Sequence, residues 1–161
     1  MAFVKGGEFI MGTGRTSHRV KLSSFHICRN RVTQELWNIV MGSVPSNNLP
    51  MVNVSWNDCQ NFIHKLSTIT KRKFRLPTEA EREYAATHKE GMNDMPGRIR
   101  EWCNDWYGAS ISCYSENPQG PSSGHSRVYR GGNYTSRYYG YPSYKSKNLG
   151  FRLAEDRKKK L

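Results

Sequence analysis

Apolar residues recur along this chain in two rhythms. From Phe3 to Gly12 they alternate with polar ones around Gly6-Gly7, which predicts two short strands joined by a glycine turn. His18 to Leu22 alternates in the same way, and Phe25-His26-Ile27 stays extended, so a further strand pair is expected, with both histidines on strand surfaces. Next comes a helical rhythm. Thr33 is suited to cap a helix over 33–41, with Glu35 in its acidic first turn, Leu36, Trp37 and Val40 on one face, and Gly42 beyond its end. A second helix is expected over 55–67, where Ser55 and Asp58 make a capping box and Cys59, Phe62, Ile63 and Leu66 fall at i, i+3, i+4 and i+7. A strand ends at Leu76. Beyond Pro77, Thr78 and Glu81 form another capping box for a short helix, in which Glu79, Glu81 and Glu83 are read as structural carboxylates of the first turns.

Neither rhythm holds at the C-terminal end. Between Arg130 and Arg152, five tyrosines (Tyr134, Tyr138, Tyr139, Tyr141, Tyr144) are interleaved irregularly with Ser, Thr, Gly, Arg and Lys. A core segment would carry more aliphatics. Tyrosine offers broad amphipathic contact at low conformational cost and Ser, Gly and Asn adapt their hydrogen bonds, so this composition is that of a recognition surface.

Length and composition narrow the class. A chain of 161 residues suits one domain with a real core, and its mean hydropathy of −0.78 excludes a membrane span. No membrane partner is expected. The first residues lack the pattern of a signal peptide, so the expected location is the cytoplasm, with a virion or cell surface as the alternative if the chain is a piece of a longer one. A net charge of +12 favours acidic partners and gives nucleic acid as a rival partner class, although residues 155–161 read as a basic tail. The four cysteines are widely spaced, which fits free thiols in a reducing compartment.

Several runs carry a family resemblance. Arg75-Leu76-Pro77-Thr78-Glu79-Ala80-Glu81, Val54-Ser55-Trp56, Arg130-Gly131-Gly132-Asn133-Tyr134 and Gly150-Phe151-Arg152-Leu153 resemble signature segments of the formylglycine-generating enzyme (sulfatase-modifying factor) family. The resemblance implies a single α+β domain of the C-type-lectin-like fold over residues 1–154, with the N- and C-terminal strands together. That family's enzymes bind Cu(I) through two cysteines, and the matching positions here are Ser136 and Tyr141, so no catalytic residue is expected. The family also has a calcium site, which maps to Asp94, Gly97, Ile99 and Glu101; no cofactor is required, and structural Ca²⁺ is weighed against a loop held by Arg98, Arg100 and hydrogen bonds. Trp102, Trp106 and Tyr107 are expected in core and loop packing.

The tyrosine-rich segment resembles, in addition, the variable proteins of diversity-generating retroelements, which use this fold. Adenine-directed mutagenesis of their binding codons yields Asn, Tyr, Ser, Thr and Gly. The expected function is therefore non-enzymatic binding of a protein or glycan through Asn133, Tyr134, Thr135, Ser136, Arg137, Tyr138, Tyr139, Tyr141, Ser143, Tyr144, Lys145 and Ser146, with a formylglycine-generating oxidase and a nucleic-acid binder as alternatives.

Overall fold

The computed structural model describes residues 1–44, 46–88, 93, 97–109 and 113–156. Among these residues, three α-helices and eleven short strands form an α+β fold with three small sheets. Strands β1 (Ala2–Val4), β4 (Phe25–Ile27), β5 (Phe74–Arg75) and β11 (Ala154–Asp156) make one sheet in the order β1-β4-β11-β5. The two ends of the chain thus flank the same strand. A second sheet joins β2 (Gly7–Met11), β3 (His18–Leu22) and β7 (Ser115–Glu116). The third, which carries the tyrosines, runs β10-β6-β8-β9, with β6 at Arg100–Trp106, β8 at Arg127–Arg130, β9 at Arg137–Gly140 and β10 at Leu149–Gly150.

The helices begin where local chemistry says they should. Thr33 accepts the Leu36 N–H to open α1 (Gln34–Met41), and Gly42 closes it in the left-handed region at φ 84°. Ser55 and Asp58 form the full capping box of α2 (Trp56–Thr70), which runs three residues past its expected end. At the start of α3 (Glu79–His88) the Thr78 hydroxyl accepts the Glu81 N–H while the Glu81 carboxylate accepts the Thr78 N–H.

Two expectations about the strands change. Those on either side of Gly6-Gly7 do not form a hairpin, because β1 pairs with β4 and β2 pairs with β3. Likewise β3 and β4 lie in different sheets. The domain also extends past 154: β11 reaches Asp156, Glu155 is clamped by Arg72 at 2.5 Å, and Asp156 by Arg75 at 2.6 Å. The remainder of the expected tail, 157–161, is outside the described residues.

The core has two parts. In the larger, the rings of Trp37 and Phe62 stack at 5.1 Å and Phe151 meets Phe62 edge-on at 5.5 Å, tying α1 and α2 to the C-terminal signature. The smaller packs Val20, Phe25 and Ile27 against Ala80 and Tyr84 of α3. Beside them, Glu101 of β6 is fully buried and held by three guanidiniums, Arg31 at 2.9 Å, Arg82 at 2.8 Å and Arg152 at 2.7 Å.

Candidate functional site

Gly131 and Gly132 set the course of the tyrosine-rich segment. Gly131 has φ 148°, and a Cβ on it would stand 2.9 Å from the Arg100 Cα, so only glycine lets β8 run this close to β6 before the chain turns. Past the turn, Asn133 Oδ1 accepts the N–H groups of Thr135 and Ser136 at 3.0 and 2.7 Å, and Arg130 donates to the Tyr134 carbonyl at 2.7 Å. The far half is fastened to the approach and start of α2. The Asn53 N–H donates to the Ser146 carbonyl at 3.0 Å, the Asn57 N–H to the Pro142 carbonyl at 3.1 Å, and Lys145 pairs with Asp58 at 3.2 Å. Gly150 then passes the Met51 carbonyl so closely that a Cβ would lie 2.5 Å from its oxygen.

The backbone is thus pinned at both ends while its side chains stay accessible. None of the expected contact residues from Asn133 to Ser146 is buried, and Tyr139, Tyr141 and Tyr144 are 58%, 67% and 42% exposed. The period of β9 divides its tyrosines between two faces. Tyr138, opposite Tyr129, lies near-parallel to that ring at 5.5 Å and beneath the Arg100 guanidinium at 3.8 Å, packed against the core. Tyr139 points the other way and stacks on Tyr107 at 4.4 Å. Tyr144 returns to lie near-parallel to Tyr129 at 6.1 Å.

Aromatics outside the segment therefore help to build the surface. Tyr107, expected in loop packing, is 37% exposed and extends the face made by Tyr139. Trp102 is fully buried, and Trp106 lies under the Arg127 guanidinium at 3.4 Å. No periodicity could have linked Tyr107 to Tyr139, because their contact joins β9 to the end of β6.

The carboxylates of α3 hold this architecture together. Glu79 binds Arg130 at 3.0 Å and also Arg137; Glu83 binds Arg130 at 2.6 Å and the Gly12 N–H at 2.9 Å; Glu81 binds Arg75 at 2.7 Å. All three are buried, so the helix start is cemented to β8, β9 and the loop after β2. Among the described residues the interior takes six acids (Glu79, Glu81, Glu83, Glu101, Asp105, Glu155) but four arginines (Arg31, Arg82, Arg130, Arg152). With 13 acids in the whole chain, the exposed surface is more basic than the net charge of +12 suggests.

The described residues of the expected calcium site are engaged with other groups of the protein. One Glu101 oxygen is held by Arg31 and Arg152 and the other by Arg82, the Ile99 carbonyl accepts from Arg31 at 2.8 Å, and the Gly97 carbonyl accepts from the Gly132 N–H at 3.1 Å. Burial would raise the Glu101 pKa, but the Arg82, Arg152 and Arg31 charges outweigh it and hold it at about 2. Asp94 lies outside the described residues, and among those described no group of three His, Cys, Asp or Glu is placed to hold a metal ion. Nor do the family's copper positions supply thiols: Ser136 is tied into the Asn133 turn and Tyr141 is exposed. Burial pushes the thiols of Cys59 and Cys103 well above their ordinary value, Cys28 is raised in the same direction, and Cys113 is exposed. No described helix is long and apolar enough to cross a membrane.

Known proteins are similar to this chain in sequence and in fold. The chain is 28% identical over 175 residues to the formylglycine-generating enzyme of Streptomyces coelicolor, an alignment covering 68% of this chain and 53% of that protein. It is 29% identical over 154 residues to the Chlamydia pneumoniae serine/threonine-protein kinase pkn1, covering 66% of this chain and 24% of that one. The chain therefore spans about half the length, or less, of these curated relatives. Among solved structures, Treponema denticola variable protein 1 superposes with a TM-score of 0.84 at 24% identity, covering 96% of this chain and 94% of that one, and so has the same fold. The sulfatase-modifying factor enzyme 1-like domain model matches residues 1–91 and 87–157, and the chain belongs to that family.

Proposed function

We propose that this protein is a non-enzymatic binder that recognises a protein or glycan through the tyrosine-rich surface of residues 133–146. The observation that carries the reading is the division of labour within the segment: its backbone is fixed by Gly131, Gly132 and α2, while Tyr139, Tyr141 and Tyr144 remain in solvent. Such a surface tolerates exchange of side chains, because the changes touch the ligand and not the core. The shared fold with a protein named a variable protein supports the same reading.

Buried aromatics at the centre of an interface carry much of its energy, typically ~2 kcal/mol or more each. Glycan arrays and displayed protein libraries probed with the unmodified protein should yield ligands that are lost when Tyr139, Tyr141 and Tyr144 are together replaced by Ala. Unfolding of that triple variant should stay close to the parent's. Retained binding by a folded triple variant would refute the assignment. Diversification has its own test in the surrounding DNA, where a near-copy of the segment differing mainly at adenines should accompany a reverse-transcriptase gene. A sulfatase-type cysteine peptide with Cu(I) should give no aldehyde.

A further inference from the structure

A cavity of about 260 Å³ opens on the other face of β8 and β9 from Tyr129 and Tyr138. Its rim combines Met11, Trp106, Pro118 and Pro121 with Thr13 and Thr16, and it shares Thr135 and Arg137 with the tyrosine-rich segment. Ligand pockets for drug-sized molecules usually run from about 300 Å³ upward, so this one suits a single side chain or a small molecule of few atoms.

Its charges are not balanced. Glu79, Glu83 and Asp105 set three carboxylates against the guanidiniums of Arg130 and Arg137. The pairings described above leave Glu79 and Glu83 occupied by those arginines. Asp105 is different. It is 4% exposed, its Oδ1 accepts the Glu79 N–H at 2.9 Å, its own backbone N–H also donates to the carboxylate, and no arginine or lysine is described paired with it. A buried carboxylate that lines a cavity and is held by backbone N–H groups, with no cation of its own, is an arrangement that a cation from outside would complete.

We propose that this cavity is a subsite for an alkylammonium or guanidinium group carried on a short apolar stem, its charge held by Asp105 and its stem by Trp106, Met11 and the prolines. The group can come from a free amine or from a Lys or Arg side chain of the ligand read by the neighbouring tyrosines. The second source rests on the proposed function; the cavity chemistry does not.

Ionisation of Asp105 provides a signature. Burial pushes its pKa up; the Glu79 N–H and Asp105's own N–H oppose this, and the Glu79 and Glu81 carboxylates add to the rise, to about 7. Arg130, Arg137 and Glu83 also line the cavity, as does His18 of β3, while Arg127 of β8 and Cys103 of β6 feel the Asp105 charge from the sheet side. If only ionised Asp105 holds the cation, affinity should rise roughly tenfold between about pH 6 and pH 8.

The test is calorimetric titration of the full chain with n-butylammonium, butyrate and capped lysine and arginine peptides. The expected result is butylammonium binding that strengthens about tenfold over that pH range, in the parent and in His18→Gln alike. Asp105→Asn keeps an oxygen for the Glu79 N–H and should lose both the affinity and its pH dependence. Peptides that compete with butylammonium identify a partner side chain as the source, and peptides that do not bind identify a free amine; both support the cavity chemistry. Preferential binding of butyrate, pH-independent butylammonium binding, or undiminished binding by Asp105→Asn would each overturn it. None of Tyr139, Tyr141 and Tyr144 lines the cavity, so the triple alanine variant should still bind butylammonium, and failure of one proposal is distinguishable from failure of the other.

Discussion

Replacing Glu101 with Gln removes the one carboxylate on which Arg31, Arg82 and Arg152 converge. All four side chains are almost entirely buried, so water cannot take over the lost charge, and the Gln amide would turn donors toward guanidiniums that are themselves donors. Two routes give the magnitude. Breaking a buried ion pair by removing one partner typically costs about 3–5 kcal/mol. Independently, holding the Glu101 pKa at about 2 against an ordinary 4.5 corresponds to roughly 3 kcal/mol of stability. Because its folded pKa is depressed, that contribution is fully present above about pH 4.5 and disappears as pH falls toward about 2. Urea unfolding followed by tryptophan fluorescence at neutral pH should therefore show a loss of about 3–5 kcal/mol, and the variant should lack this part of the parent's acid sensitivity. A loss below about 1 kcal/mol would refute the view that Glu101 is the electrostatic centre of the core.

The same engagement of Glu101 by three arginines predicts that millimolar calcium leaves the thermal midpoint of the parent unchanged; a calcium-dependent rise would support the metal reading. Gly131→Ala should destabilise by more than about 1 kcal/mol, because its φ and the nearby Arg100 Cα leave a methyl group no room; chemical denaturation measures the loss. Asp105 acts on stability with the opposite sign to Glu101: its folded pKa is raised from 3.8 to about 7, so its contribution should decline as pH rises across that window. Asp105→Asn should flatten this component in denaturation curves recorded at successive pH values.

Much of the secondary structure was legible because its causes are local. Thr33, Gly42, the Ser55–Asp58 pair and the Thr78–Glu81 pair each act within one helical turn, so residue type and spacing were enough to place the start of each helix and the end of α1. The family signatures specified more, since Gly131 and Gly150 are required by close backbone approaches that leave glycines in the sequence. Exposure of the tyrosine-rich segment was also foreshadowed by its lack of aliphatics. Strand partners were not: β1 and β2 adjoin in the chain yet enter different sheets, and that choice depends on β4 and β3, which lie later in the chain.

Only the tertiary structure could assign the charges. The family resemblance makes Glu101 an expected oxygen ligand near Asp94 and Gly97; in space Arg31, Arg82 and Arg152 arrive from three other segments and pair with it. Asp105 likewise gives no sign in the sequence of being buried beside two other carboxylates, because the cavity brings β6 together with β2, β3, α3, β7, β8, β9 and neighbouring loops. Local hydrogen bonds and steric limits are written in neighbouring residues. A pKa depends on every charge and dipole that folding brings near, and here those belong to parts of the chain tens of residues apart.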